Sequence, residues 1–445
     1  MRSNVVRLGQ RPRPTRRGRV LALLLLVIAV EQLLMPHWVW RFLLYTFGAV
    51  FALAFAWAMS LARTIVVARR TEQTVAQVGD QVVEEFLIAN RGLFPALVLR
   101  IDDLSTLPEH RAQQLVSCGG QAERSWRVST VCCRRGLYVL GPWSVSSGDP
   151  FGLFSVEGRA GVVAQVLVYP PIGELPAQVQ VRGDLTGGRA RSERSLMREA
   201  VAGGVRPHVP GDPLASIHWP SSARTGTIMV KELEAQPMGG TWLVLDMDAL
   251  AQVGSEDDCT EEHEVLAAAA IGARALRASL SVGLLAYGDR RVCLHPARGE
   301  GQLWLFLREL ATLRAAGSWS LDRVCQAEKA LLSRGVGVII IATSLSRGLL
   351  PAVECVRQAV RSLTVVLVDA QSFGAALGVE EVVRQLHAMG VRCVVVGKGQ
   401  ITWPRSRWER LRLVRGRRRW SVAAAAPNPS EAAPGREREI WAQSR

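Results

Sequence analysis

Phe42 to Ala62 reads FLLYTFGAVFALAFAWAMSLA, 21 residues without one charged side chain. A helix rises 1.5 Å per residue and needs about 20 apolar residues to cross the hydrocarbon core of a bilayer. This stretch therefore predicts a membrane anchor. A second apolar stretch, Val20 to Trp40, precedes it and opens with VLALLLLVIAV. Glu31 and Gln32 interrupt it, and Pro36 and His37 lie near its end. An acid is tolerable there beside the headgroups or against a partner helix. The two stretches predict a transmembrane helical hairpin over 20–62, with Trp38, Trp40 and Tyr45 at an interface. A basic start followed by an apolar run also fits a signal peptide. No small-x-small cleavage site follows, however, and the second stretch begins at once.

The charge distribution orients this hairpin. Net charge is +15, yet residues 1–19 hold seven Arg and no acid, and 405–445 hold eleven Arg and four Glu. The remainder is close to neutral, so the basic character belongs to the ends. Arg-rich ends beside a span fit attraction to anionic lipid better than sequence-specific reading of nucleic acid. Seven Arg precede the first stretch, Arg63, Arg69 and Arg70 follow the second, and Arg41 alone sits in the expected connection. The positive-inside rule puts both termini in the cytoplasm. Eight Cys occur without a CxxC or a zinc-type Cys/His spacing, and nothing in them requires an oxidising compartment.

Beyond the basic tail (1–19) and the spans (20–62), residues 71–170 read as short strands at roughly ten-residue spacing, a β-sandwich-like domain. Residues 171–202 are rich in Gly, Arg and Ser and read as a linker. From Thr241, near-continuous Val/Ile/Leu strands alternate with amphipathic helices (HEVLAAAAIGARALRAS, QLWLFLRELATLR) up to VRCVVVG. That grammar specifies a doubly wound α/β domain over 240–400, with a mostly parallel sheet covered on both faces. Residues 401–445 read as an Arg-rich, disordered tail.

Between linker and α/β domain, 203–236 concentrate Arg206, His208, Asp212, His218, Trp219, Arg224 and Lys231 among Gly and Pro turns. Pro210-Gly211-Asp212 is a turn signal, since Pro fixes φ and Gly accepts positive φ. Two His, an Asp and three cations are the material of an acid–base or anion site. They are equally the material of an ion-pair network that docks this segment on its neighbours, and spacing alone favours that reading.

The same segment resembles the signature of the DUF58 family of bacterial membrane proteins. Arg206, Pro210, Gly211, Asp212, Ile217, His218, Trp219, Ala223, Arg224, Gly226, Val230, Lys231 and Glu234 fall on its pattern. Arg134-Arg135-Gly136-Leu137-Tyr138 and Asp149-Pro150-Phe151-Gly152-Leu153 look like a second family block. His208 stands where Tyr is usual, Ala215 where Arg is usual, and Pro220 where a polar residue is common.

The resemblance implies a C-terminal domain similar to a von Willebrand factor A (VWA) domain, many of which bind Mg²⁺ through D-x-S-x-S. Here the first strand ends Asp246-Met247-Asp248-Ala249-Leu250, and Ser344 stands where a later Asp is usual. With a third oxygen missing, no metal or other cofactor is expected, because Mg²⁺ wants six oxygens. Asp246 and Asp248 are the one candidate pair.

The chain also carries no phosphate-binding loop, no G-x-S-x-G elbow and no H-E-x-x-H. Two functions follow from the resemblance and the residues. One is a membrane-anchored, non-enzymatic scaffold or adaptor in the bacterial inner membrane. It would work with a MoxR-type AAA+ ATPase and other membrane proteins in protein assembly or envelope maintenance. The other is a hydrolase-type enzyme with a site around Asp212, His218 and Arg224. Fold cannot choose between them.

Overall fold

The computed structural model of the chain describes residues 2–9, 11–71, 73–110, 112–174, 202–209, 217–233, 240–255, 258–332 and 336–402. The expected tail beyond 402, most of the linker, and the turn Pro210-Gly211-Asp212 lie outside them.

Two helices follow the N-terminal residues, α1 (Arg16–Leu34) and α2 (Trp38–Thr64). Thr15 caps α1 by accepting from Gly18 N at 3.2 Å, and His37 caps α2 by accepting from Val39 N at 3.3 Å. Both are ordinary N-cap arrangements. The expected boundaries shift here. Trp38 to Arg41 belong to the second helix, because chain reversal happens at Met35–His37, beside Pro36. From Val20, α1 has about 15 residues left, about 22 Å of helix. Its start is charged with Arg16, Arg17 and Arg19. Among the described residues, Trp38–Thr64 is the one helix long and apolar enough to cross a membrane by length and composition.

Residues 2–7 and 13–14 are not a loose tail. Strand β1 (Arg2–Arg7) pairs antiparallel with β3 (Ile65–Thr71), and β2 (Arg13–Pro14) pairs with β11 (Phe154–Ala160). They join a domain that begins before the expected residue 71. One sheet runs β1–β3–β5–β8, where β5 is Gln81–Asn90 and β8 is Ala122–Val131. A second runs β2–β11–β10–β6–β7, with β6 Ala96–Asp103, β7 Gln114–Cys118 and β10 Trp143–Gly148. A third joins β4 (Val75–Gln77), β12 (Ala164–Tyr169) and β9 (Gly136–Leu140). Alternating inward residues from the sheets share one core around Phe86, Ile101, Trp143 and Val156, as period-2 strands in a sandwich require. Phe86 stacks on Trp126 at 5.2 Å and meets Trp143 edge-on.

Helix α2 is rooted in this core. Ala54, Ala58, Leu61 and Ala62 are buried, a small-residue face at helical spacing. Phe51 and Phe55 meet Phe154 edge-on at 5.0 and 5.4 Å. At the start of α1, a Cβ on Gly18 would lie 2.2 Å from Leu153 O, so only glycine lets the helix seat there.

The signature segment forms a hairpin of β13 (Ala202–Pro207) and β14 (Met229–Leu233), with helix α3 (Trp219–Thr225) between them. The last domain is an α/β fold. Its strands are β15 (Thr241–Leu245), β18 (Val282–Tyr287), β19 (Arg291–Ala297), β20 (Gly337–Thr343), β21 (Ser362–Val368) and β22 (Arg392–Val396). Two-residue strands β16 (Gly254–Ser255) and β17 (Asp258–Cys259) form a small ladder apart from it. The sheet order is β19–β18–β15–β20–β21–β22, parallel except for the edge strand β19. Leu243 and Leu245 face one core with α4 (Thr260–Arg277) and α5 (Glu300–Thr312). Trp242 and Val244 face the other, with α6 (Leu321–Ala327), α7 (Lys329–Leu332) and α8 (Leu349–Arg357). Helix α9 (Glu380–Ala388) adds Leu386 to that side. Helices on both faces explain why the strands read as continuous apolar runs.

Candidate functional site

The strand order reverses between β15 and β20, so the loops leaving their carboxyl ends part and open a crevice. Both carboxylates expected at this strand end lie in it, buried. Asp246 Oδ1 accepts from Asp248 N at 3.2 Å, and its Oδ2 accepts from Ser346 Oγ. Asp248 Oδ1 accepts from Leu250 N at 3.1 Å, and its Oδ2 accepts from Arg347 Nη2 at 3.3 Å. Gln252 Nε2 donates to Asp246 O at 3.2 Å and to Glu264 Oε2 at 3.3 Å. Glu264, on α4, is fully buried and its other carboxylate oxygen has no hydrogen-bond partner.

Burial dominates the electrostatics of these acids. It pushes the Glu264 carboxyl well above the usual range, and the charge of Asp246 adds to the effect. Burial also pushes Asp246 up to about 6, against the hydrogen bonds from Ser346 and the Asp248 amide. Arg347, whose side chain is 57% exposed, pairs with Asp248 and only weakly offsets the rise at Asp246.

This donor set does not suit Mg²⁺. Each oxygen of Asp246 and Asp248 already accepts from a protein donor. A cation, Arg347, stands at Asp248, and the position for a third oxygen is the exposed Leu250. A hard divalent ion wants near-octahedral oxygens. Sequence reading found the two Asp at the strand end. It missed Ser346, Arg347, Gln252 and Glu264, though an acid inside the Ala-rich run EVLAAAA was a signal in plain view.

The signature residues divide differently. Ile217 is buried and bridges Val230 across the hairpin. His218 caps α3: its Nδ1 is 2.7 Å from Ser221 Oγ and accepts from Ser221 N at 3.3 Å. Ser222 Oγ accepts from Met229 N at 2.8 Å and so ties the helix to β14. Trp219 is 68% exposed, and Ala223 and Arg224 are exposed on the same short helix. Arg206 lies on β13 and Lys231 on β14. Pro210, Gly211, Asp212 and Glu234 lie outside the described residues, so the grouping of Asp212 with His218 and Arg224 does too.

Two further clusters escaped the sequence reading. In the sandwich, Arg69 is buried between Glu84 (Nε–Oε1 2.9 Å) and Asp103 (Nη1–Oδ1 2.7 Å). His110 Nε2 sits 2.8 Å from Asp103 Oδ2 and 3.2 Å from Glu84 Oε2. The second cluster joins the domains. Arg135, 1% exposed, leaves the loop before β9 and enters the α/β domain. It donates to Leu310 O, Leu313 O and Glu261 Oε1, and it pairs with Glu262. Both Glu lie in the first turn of α4, where the helix dipole also favours negative charge.

Among curated proteins, the chain resembles an uncharacterized protein, YeaD, of Bacillus subtilis. It is 25% identical over 324 residues, covering 70% of this chain and 79% of that one. Solved structures give weaker likenesses. A CARDB domain from Pyrococcus furiosus matches at TM-score 0.16 and 12% identity, over 22% of this chain and 83% of that one. The C-terminal domain of wzt matches at TM-score 0.17 and 11% identity, over 23% and 70%. Scores of this size carry no argument about fold or function. Residues 204–377, from the signature hairpin into the crevice domain, match the family described as protein of unknown function DUF58.

Proposed function

We propose that this chain is a membrane-anchored scaffold or adaptor of the bacterial cell membrane. Helices α1 and α2 enter the bilayer as a pair, both termini lie in the cytoplasm, and the soluble domains face a MoxR-type AAA+ ATPase. The observation that carries the anchoring is α2. One face is buried in the sandwich through Ala54, Ala58 and Leu61, while Phe42, Tyr45, Leu53 and Phe55 stay exposed. In water that is an unstable surface, and in lipid it is a favourable one. The excess of Arg at the root of the pair over its tip supports the orientation.

A VWA-like reading of the last domain is supported by the strand order, by its single antiparallel edge strand and by the acids at the end of β15. The scaffold reading draws on exposed Trp219 and Arg224, held out on a helix whose caps fix it in place. Exposed Trp and Arg on a rigid element are the residue types that anchor protein interfaces.

Fractionation and labelling test the anchoring. The full chain should stay in the membrane pellet after alkaline carbonate extraction. Cysteines introduced at Arg2 and Gln443 should react with an impermeant maleimide only after the cells are opened. Release by carbonate, or labelling of either terminus from outside, contradicts it.

A further inference from the structure

Two loops of the sandwich meet the helix pair at its root, and each is pinned there while holding out a large apolar side chain. The first loop follows β5. Asn90 Nδ2 donates to Phe94 O and to Gly119 O, both at 2.9 Å. Trp57 of α2 packs tilted against Phe94, ring centroids 4.7 Å apart, and donates from Nε1 to Pro95 O at 3.2 Å. Leu93, inside this fixed loop, is 78% exposed.

The second loop is the Asp149–Leu153 block. Asp149 Oδ1 accepts from Phe151 N at 2.8 Å, and its Oδ2 accepts from Phe154 N at 2.5 Å. Thr15, the cap of α1, donates from N to Leu153 O at 2.9 Å and from Oγ1 to Gly152 O at 2.7 Å. Phe151 nevertheless is 48% exposed. Neither side chain is exposed because its loop is loose.

α1 and α2 run antiparallel from this root, and α2, with 27 residues against 19, reaches about 12 Å beyond the first turn of α1 at the same end of the pair. Arg16, Arg17, Arg19 and Arg63 are exposed there, with no acid in the first turn of α1. Apolar fingers beside a ring of cations, continuous with an apolar helix, match the layering of an anionic leaflet: acyl chains, then phosphates.

We propose that the root of the helix pair is a lipid-contact surface, in which Leu93 and Phe151 enter the headgroup layer of an anionic leaflet and the four arginines pair with its phosphates. The inference rests on the bilayer anchoring of α1 and α2. It adds that the sandwich sits on the leaflet rather than hanging below it.

The test is photocrosslinking of the full chain in nanodiscs of phosphatidylcholine and phosphatidylglycerol doped with a diazirine phospholipid, read by peptide mass spectrometry. Adducts on α1, on α2 and at both Leu93 and Phe151 are expected, with none at Leu250 of the α/β domain, itself 72% exposed. The double variant Leu93→Glu/Phe151→Glu should keep the helix adducts and lose those of the loops. Omitting phosphatidylglycerol should lower the yield at the loops and leave that of the helices unchanged. Helix adducts without loop adducts overturn this proposal and leave the anchoring intact. Loop adducts indifferent to phosphatidylglycerol overturn the role of the arginines. An absence of helix adducts overturns the anchoring, and this proposal with it.

Discussion

Arg135 Nη2 lies 2.7 Å from Glu261 Oε1, and this contact ties the sandwich to the α/β domain. The guanidinium also satisfies two carbonyls at the end of α5, Leu310 O and Leu313 O. Glu261 stands three residues before Glu264, so one helix carries both the interdomain joint and an acid of the crevice.

Arg135→Ala removes a buried cation and leaves two acids and two carbonyls without it. The expected loss is about 3 kcal/mol at the joint, since breaking a buried pair costs more than the pair contributes. Limited proteolysis and urea unfolding should show the domains separating before either unfolds. Arg135→Lys should recover part of the loss, because a lysine cannot make the same forked contacts.

Arg69 answers for two carboxylates inside the sandwich. Arg69→Ala should destabilise that domain by about 3–5 kcal/mol, as an uncompensated buried charge does. Burial alone would raise Asp103, but its hydrogen bonds from His110 and Arg69 hold it well below the usual carboxylate range. A lowered folded-state value means stability that is present above about pH 4 and lost as pH falls through the folded value. Acid unfolding followed by the fluorescence of Trp126 and Trp143 checks this. A wild-type sandwich no more acid-resistant than the Asp103→Asn variant contradicts it.

The crevice behaves in the opposite sense. Asp246, held up at about 6, gives stability that is complete below about pH 4 and lost as pH rises through 6. The α/β domain should therefore lose on the order of 2–3 kcal/mol across that window. Glu264→Gln removes the carboxylate whose second oxygen has no partner. It should raise the melting temperature at pH 7.5 by about 2–4 °C, the equivalent of about 1 kcal/mol. Calorimetry at several pH values reads both effects, and a lower melting temperature for the variant contradicts the account.

Much of this architecture was legible from residues 42–62, from the period-2 strands and from the Val/Ile/Leu runs after Thr241. The helix boundaries were less so. Pro36 and His37 read as the fading end of one span, while physically they form the reversal and cap the next helix. Residues 2–7 read as a basic tail because they open a run of 19 residues with seven Arg and no acid. The alternation that places Val6 and Leu8 in the core is too short to register alone. The crevice was half visible: Asp246 and Asp248 share a strand end, but Ser346, Arg347 and Glu264 reach them only through the fold. The same holds for Arg69, Glu84, Asp103 and His110, which come from four separate places in the chain.

Trp219 gives the scaffold reading its own handle. It is exposed and lies on a helix fixed by His218 and Ser222, so Trp219→Ala should leave the melting temperature unchanged. Removing an exposed aromatic anchor commonly costs about 2 kcal/mol of binding, about thirtyfold in affinity. The deciding measurement is affinity isolation of the full chain from native membranes in mild detergent, with mass spectrometry of what accompanies it. The account predicts a MoxR-type AAA+ ATPase with the wild-type chain and its loss with Trp219→Ala. Recovery of no AAA+ ATPase with the wild-type chain contradicts it.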